Sequence, residues 1–404
     1  MVDQTGDEND AEVIQTGELN QINLIQEDAS EADVVQTGDE NSVLLDQINE
    51  ADASITQSGN QNEVRGVFFV YANSDGSSLN VDQTGDNNTI EASQYDGGNT
   101  ISAVQNGNAS LGVLTQYGSD NGLELLQSGN DFHMIVQVGD ENYAQSRSFA
   151  GSNSGTIFQI GDDNHTQLNQ SGGFVASVNQ FGDDHNARVR QAGGSGSGAI
   201  ITQFGNGHSV GADQQGSGNT LMVTQSGSDH SAGSDWWGNP GIIQDGDNNS
   251  GTLSQNGSGH TAYLSQVGDD NIGVMTVDGM NHTSVIMQEG DNHNIQFSID
   301  GEENTVDIRQ FGTSAHTVGF DGDIVSTVKQ DGDFNEFYSV QTGNAGGHLI
   351  TTADGGDYLQ IGDNNYMNVY QSGDSNSAFL NQTGNANSMD VSQNGANNRA
   401  TVIQ

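Results

Sequence analysis

Taken in steps of two, the chain reads Asn121, Leu123, Leu125, Gln127, with Gly122, Glu124 and Leu126 between them. The same alternation recurs at Asn219, Leu221, Val223, Gln225 and at Asn304, Val306, Ile308, Gln310. Period-two alternation sends one set to one face of an extended strand and the other set to the opposite face. Each run is short and bounded by a Gly-x-x segment, often Gly-Asp-Asp, Gly-Asp-Asn or Gly-Asp-Glu, which is turn chemistry. The pattern predicts strand, turn, strand, turn. A helix is excluded, because a glycine in every unit would cost about 1 kcal/mol each time.

The repeat is plainest at the end of the chain. Gln371, Gln382, Gln393 and Gln404 stand eleven apart; Gly373 and Asn376 follow the first, Gly384 and Asn387 the second, Gly395 and Asn398 the third. The start repeats it as Gln4, Gly6, Asn9, then Gln15, Gly17, Asn20, and the chain holds 27 Gln-x-Gly tripeptides. Gln26 and Gln47 keep the spacing without the glycine. A short fixed period means a repeat array. Two units, about 22 residues, make one layer. A lone layer cannot stand, since ordering costs roughly 1–2 kcal/mol per residue and four inward aliphatic side chains return only about 1.5–3 kcal/mol apiece. Layers must therefore stack at about 4.8 Å, with each Gln and Asn over its copy in an amide ladder. The fold class predicted is all-β: a two-sheet β-solenoid of cross-β, amyloid type, forming a single domain over 1–404.

The pattern blurs at 65–82, 143–158, 231–243, 312–325 and 344–359, read as irregular, lengthened turns. Trp236 and Val277 stand in glutamine positions there and nearby. Trp236 and Trp237 beside Pro240, the sole proline, predict a bulged turn, with an exposed aromatic contact for sugars or dyes as the second reading.

Composition narrows function. With 54 acids against seven Lys and Arg, the net charge is −47. Nucleic acid and anionic membrane surfaces, which need basic patches, are excluded as partners. No stretch is apolar enough to insert in a membrane. There is no cysteine, so neither disulfides nor thiolate metal sites arise. No signal peptide is present; Met1, three residues before the first motif glutamine, reads as an initiator on a trimmed chain whose export signal has been removed.

Ser, His and Asp all occur, but no constellation stands out from the repeats, and no catalytic residue or enzyme activity is expected. His185, His208, His230, His260, His282 and His293 fall in the Asn position. They read as replacements for ladder amides, with metal binding or pH sensing as the alternative. Protonating stacked imidazoles would in either case bring like charges together. Acidic turns such as Asp162-Asp163, Asp183-Asp184 and Asp269-Asp270 would stack in columns. They read as a solvated surface that keeps the monomer soluble; calcium bound by carboxylate columns is the sharper reading, and no other cofactor is expected. Either way, acid or divalent cations should speed assembly.

Gln371-Gly373-Asn376-Ala378-Gln382 and Gln4-Gly6-Asn9-Ala11-Gln15 match the curlin repeat, and the chain resembles the curlin family, whose major subunit forms bacterial functional amyloid. Val, Leu or Ile often replaces the family's alanine, the repeats far outnumber the familiar five, and the family's amino-terminal targeting segment is missing. The resemblance implies an extracellular biofilm-matrix and adhesion fibre, exported through an outer-membrane channel and started by a surface nucleator.

Independently of family, Gln4–Gln15 and Gln393–Gln404 are among the best-formed units. Ends that do not cap an array invite head-to-tail addition of further copies, which generates a filament. The rival reading is a non-polymerising extracellular solenoid that binds ice or a surface polysaccharide. An ice binder should show an outward row of Thr, and the outward positions mix Asp, Ser, Asn, Thr and Arg.

Overall fold

The computed structural model describes residues 1–69, 76–233, 241–312, 316–318, 320–321, 324–325, 328–343, 347–352 and 358–404. Trp236, Trp237 and Pro240 lie outside them. Among the described residues every regular element is a strand. The chain divides into two compact units, Met1–Ala192 and Gly193–Gln404.

In the first unit, successive strands alternate between two parallel sheets, so each pairs with the strand two places along. Leu111–Tyr117 lies between Thr89–Tyr95 and Phe132–Val138, with Gln116 opposite both Gln94 and Gln137. The companion sheet pairs Thr100–Asn106 with Ser78–Thr84 and Gly122–Gln127 in the same register. Inward residues are sealed: Leu24, Leu45, Ile90, Leu114, Leu168 and Val189 are fully buried, as are the strand-end glutamines Gln26, Gln47, Gln94 and Gln116. The alternation read at Asn121–Gln127 thus separates core from surface.

The second unit repeats this build. Thr220–Ser228 pairs with Gly198–Asn206 and Ser250–Ser258, and Thr283–Gly290 with Thr261–Val267 and Thr305–Gly312, all parallel and in register. Ile201, Val223, Ile286 and Ile308 fill its core. Each unit is therefore a two-sheet β-solenoid whose layers step by about 22 residues.

Lengthened layers keep register on either side of their extra residues, as the strands bounding 231–243 and 312–325 show. Ser231–Ala232 and Ile242–Asp245 share one neighbour, as do Thr317–Val318 and Val328–Asp331. Leu349–Thr352, within 344–359, and Tyr358–Ile361, at its end, divide the partner Ser377–Thr383 in the same way. The region 143–158 is mostly strand, Tyr143–Ser148 and Ser154–Ile160, with only the turn between them irregular. The ladder glutamine outweighs the insertion because a slip of one residue would turn the whole apolar set outward.

Candidate functional site: the ladders between layers

Three columns of side chains tie each layer to the next. In the first, the glutamine at the strand end donates from Nε2 to Oε1 of the glutamine one layer on. The run Gln15–Gln36–Gln57–Gln83–Gln105–Gln127 holds in the first unit at 2.7–2.8 Å. In the second, Gln214–Gln244–Gln266–Gln288–Gln310–Gln341–Gln371–Gln393 runs at 2.7–3.1 Å. Nε2 also reaches a backbone carbonyl across the interior, as Gln116 does to Thr100.

Breaks in the ladder leave amide atoms stranded. Gln255 Nε2 has no partner where Val277 follows it in register, nor has Gln330 Oε1, whose register partner is Ile299. Gln170 Oε1 is stranded opposite Ser148, and Gln94 Oε1 opposite the register position of Phe68. Gln116→Ala should copy this defect by orphaning Gln137 Oε1 and leaving Gln94 Nε2 with only the Ser78 carbonyl for its two hydrogens. At roughly 1–3 kcal/mol per stranded group, urea unfolding should show a loss of about 2–5 kcal/mol. The outward Thr115→Ala should stay within about 0.5 kcal/mol.

The second column is the Asn position. Oδ1 of Asn41 accepts the backbone N–H of Asn62 at 3.1 Å, and its Nδ2 donates to the carbonyl of Gly59 at 2.8 Å. One amide thus clamps two groups of the neighbouring layer.

Histidine does the same work with a ring. His208, His230, His260 and His282 stack at centroid distances of 4.8, 4.7 and 5.0 Å. His293, His316 and His348 form a second column at 4.9 and 4.8 Å. Each Nδ1 accepts the backbone N–H of the next layer: His230 from His260, His282 from Asn304, His316 from His348. Nε2–H donates to a carbonyl, as at Phe204 and Ser226. Both nitrogens are therefore committed with the ring neutral. Burial pushes the pKa of every histidine in these columns down, to about 4 at His230 and at His316, and at His230, His282 and His316 neighbouring rings add to it. His316 and His348 were legible as histidines, but the irregular spacing around them hid their place. His185, in the first unit, has its Nε2 3.3 Å from the carbonyl of Phe181.

The third column runs through the turns. Asp162 accepts the N–H of Asp140 at 2.8 Å, and Asp183 that of Asp162 at 3.0 Å. Asp269 accepts from Asp247 at 2.8 Å. Asp163, Asp184 and Asp270 occupy left-handed backbone at φ 57, 59 and 58°. Asp162, Asp183 and Asp269 are thus ladder members as well as surface charge, each accepting from a backbone donor of the layer before. Among the described residues no group of three or more His, Cys, Asp and Glu gathers in a metal-holding arrangement.

One polar cluster does not repeat. In the first unit Ser146 Oγ lies 2.6 Å from His133 Nδ1, and Ser148 Oγ donates to Asp131 Oδ2 at 2.7 Å, all four residues being buried. Asp131 and His133 stand two apart in one strand region, with Ser146 and Ser148 facing them; the sequence offered only the loss of the glutamine at 148 as a signal. The imidazole, held down to about 4 by burial against the opposing charge of Asp131, has Nε2 unpartnered. Gly155, in register with His133 one layer on, makes room for its ring: a Cβ there would lie 2.6 Å from Nδ1. The cluster fills core volume, and no substrate can reach it.

At the first layers, Gln4 and Gln15 donate into Gln26 and Gln36, while Asn9 and Asn20 accept the N–H groups of Ser30 and Asn41. At the last, Gln382 and Gln371 donate into Gln404 and Gln393, and Asn376 and Asn365 accept from Asn398 and Asn387. The polarity is the same in both units. The leading edge offers glutamine N–H and Asn Oδ1; the trailing edge offers glutamine Oε1 and backbone N–H.

A comparison with curated proteins finds no match. The sequence model of the curlin associated repeat matches three stretches, 194–227, 246–276 and 362–395. Those stretches contain Gln203, Gln225, Gln255, Gln371, Gln382 and Gln393, and the unit they define is the one that builds every layer described above. The chain carries the curlin associated repeat many times over and is similar to the curlin family.

Proposed function

We propose that the chain is the structural subunit of an extracellular, curli-like amyloid fibre that serves biofilm matrix and adhesion, growing head to tail by docking layer edge on layer edge. The reading is carried by the polarity of the ladders. What a leading edge offers is what a trailing edge lacks, so the bonds that join layers within a chain can also join chains. The edge strands Asp10–Thr16 and Arg399–Ile403 keep half-exposed core positions at Val13 and Val402, side chains that a further layer would cover. The curlin-repeat family is structural and extracellular, and no described helix is long and apolar enough to cross a membrane. Export through an outer-membrane channel and a surface nucleator belong to the same reading.

Purified monomer at micromolar concentration and neutral pH should form unbranched fibres, seen by thioflavin fluorescence and electron microscopy, and sonicated fibres should seed fresh monomer without a lag. A protein that stays monodisperse for days with seeds present would overturn the reading in favour of a monomeric surface binder.

A further inference from the structure

In the first unit, four consecutive strands of one sheet, Leu111–Tyr117, Phe132–Val138, Ser154–Ile160 and Val175–Asp183, turn an uncharged face to solvent. From Leu111 to Phe181 their outward positions number sixteen, of which eleven are aliphatic or aromatic and none is Asp, Glu, Lys, Arg or His. Tyr117, Phe132, Val138, Ile160 and Val175 are 36–59% exposed. The opposite sheet of the same layers carries Glu124, Arg147, Arg188 and Arg190 outward. A chain of net charge −47 has thus kept charge off one broad, flat face. Exposed apolar patches with a polar margin mark interaction sites.

The margins differ. Turns leaving these strands are acidic: Asp120, Asp140-Glu141, Asp162-Asp163 and Asp183-Asp184. Turns entering them, 106–110, 128–131, 149–153 and 172–174, carry no charge except that of buried Asp131.

We propose that this face is where a second copy of the chain packs, sheet against sheet, pairing two parallel filaments; the proposal rests on the fibre reading above. Like-charged copies can approach only where charge is missing, and the one-sided margin selects the geometry. A twofold axis along the stacking direction sets each acidic margin against the other copy's neutral one and leaves both filaments pointing the same way. An axis along the strands would set acid against acid. At about 4.8 Å per strand and 3.3 Å per residue the face spans roughly 440 Å² per copy, or about 900 Å² for the pair, below the 1,200 Å² or so of a stable interface. Free monomers therefore pair only weakly, while filaments, which repeat the face in every subunit, pair firmly.

The test is mass per length of fibres by dark-field electron microscopy, for the native chain and for Val136→Glu with Phe158→Glu, both outward. Two solenoids per cross-section in the native fibre, falling twofold in the variant while seeded elongation persists, is the expected result. Native fibres of one solenoid, or variant fibres still paired, would overturn the proposal; single fibres that adhere to apolar beads would assign the face to surface adhesion instead. Should the Glu pair fail to fold by circular dichroism, Val136→Thr with Phe158→Thr gives the same reading. If the native chain forms no fibres, the fibre reading fails by itself, and sedimentation equilibrium at several hundred micromolar decides this one. A weak dimer lost in the variant supports the face, and a monomer throughout overturns it.

Discussion

Replacing Gly384 and Gly395 by alanine is expected to leave the chain folded and to stop its fibres growing. Added Cβ atoms would meet only Asn387 Nδ2 at 3.4 Å and Asn398 Nδ2 at 3.8 Å, because no described layer covers them. Their φ angles of +108° and +101° strain an alanine, by roughly 1–2 kcal/mol each. An incoming copy would change the picture. Inside the array the same Cβ position at Gly161 lies 2.2 Å from the carbonyl oxygen of Gly182, and at Gly373 it lies 2.2 Å from that of Gly395. Backbone cannot yield that far without breaking the turn.

The double variant should therefore dock by its first layers, which carry Gly6 and Gly17, onto the leading edge of a native seed and then refuse the next copy. It should act as a chain terminator, slowing seeded growth of native protein at substoichiometric amounts. Growth at the native rate would mean that copies do not meet in the register used within the chain. Gly161→Ala is the control. It puts the clash inside the folded monomer and should lower urea stability well beyond the 1–2 kcal/mol of backbone strain alone.

Much of this was legible because the repeat exposes two independent periods. The two-residue alternation gave the faces of the strands, and the eleven-residue spacing of Gln371 to Gln404 gave the layers. What stayed hidden depends on which units become neighbours. Units alternate between sheets, so Tyr95 stacks on Tyr117 at 4.4 Å across one intervening unit, not on the next unit in sequence. Reading all outward positions together mixed the charged face of one sheet with the uncharged face of the other, and the apolar surface vanished in the average. Sorting odd from even units would have recovered it. The interruption of pairing after Val318 was hidden for a different reason. Composition marks a chain segment as irregular, but only the register of Phe297 with Val328 shows where the strand resumes.

Stability of the second unit should fall as pH drops from about 6.5 to 4, and the histidine columns should be the cause. Folding depresses these imidazoles, chiefly by burial, with Asp229 and Asp278 opposing it weakly. A depressed pKa means the unfolded chain binds more protons between the folded value, about 4 at His230 and His316, and the free value of 6.5. The stabilisation is then whole above pH 6.5 and is lost as pH falls towards 4. Protonation would also remove the Nδ1 acceptor that holds the next layer's N–H, and would place cations at the 4.7 Å spacing of His230 and His260. At about 1.4 kcal/mol per pK unit, His230 alone accounts for roughly 3 kcal/mol by pH 4, and the other three members of its column act in the same direction. Asparagine already fills this position in neighbouring layers, at Asn304 above the column, so changing His208, His230, His260 and His282 together to Asn keeps every backbone contact. Urea midpoints of that variant should match the native chain at pH 7.5 and exceed it at pH 5. Equal acid sensitivity in the two would place the effect elsewhere. Carboxylates in general protonate chiefly below pH 5, so the relief of repulsion that should favour fibre growth comes after the histidine columns have begun to weaken. Acid therefore acts first on the integrity of the layers and only later on their mutual repulsion, and the His-to-Asn variant separates the two.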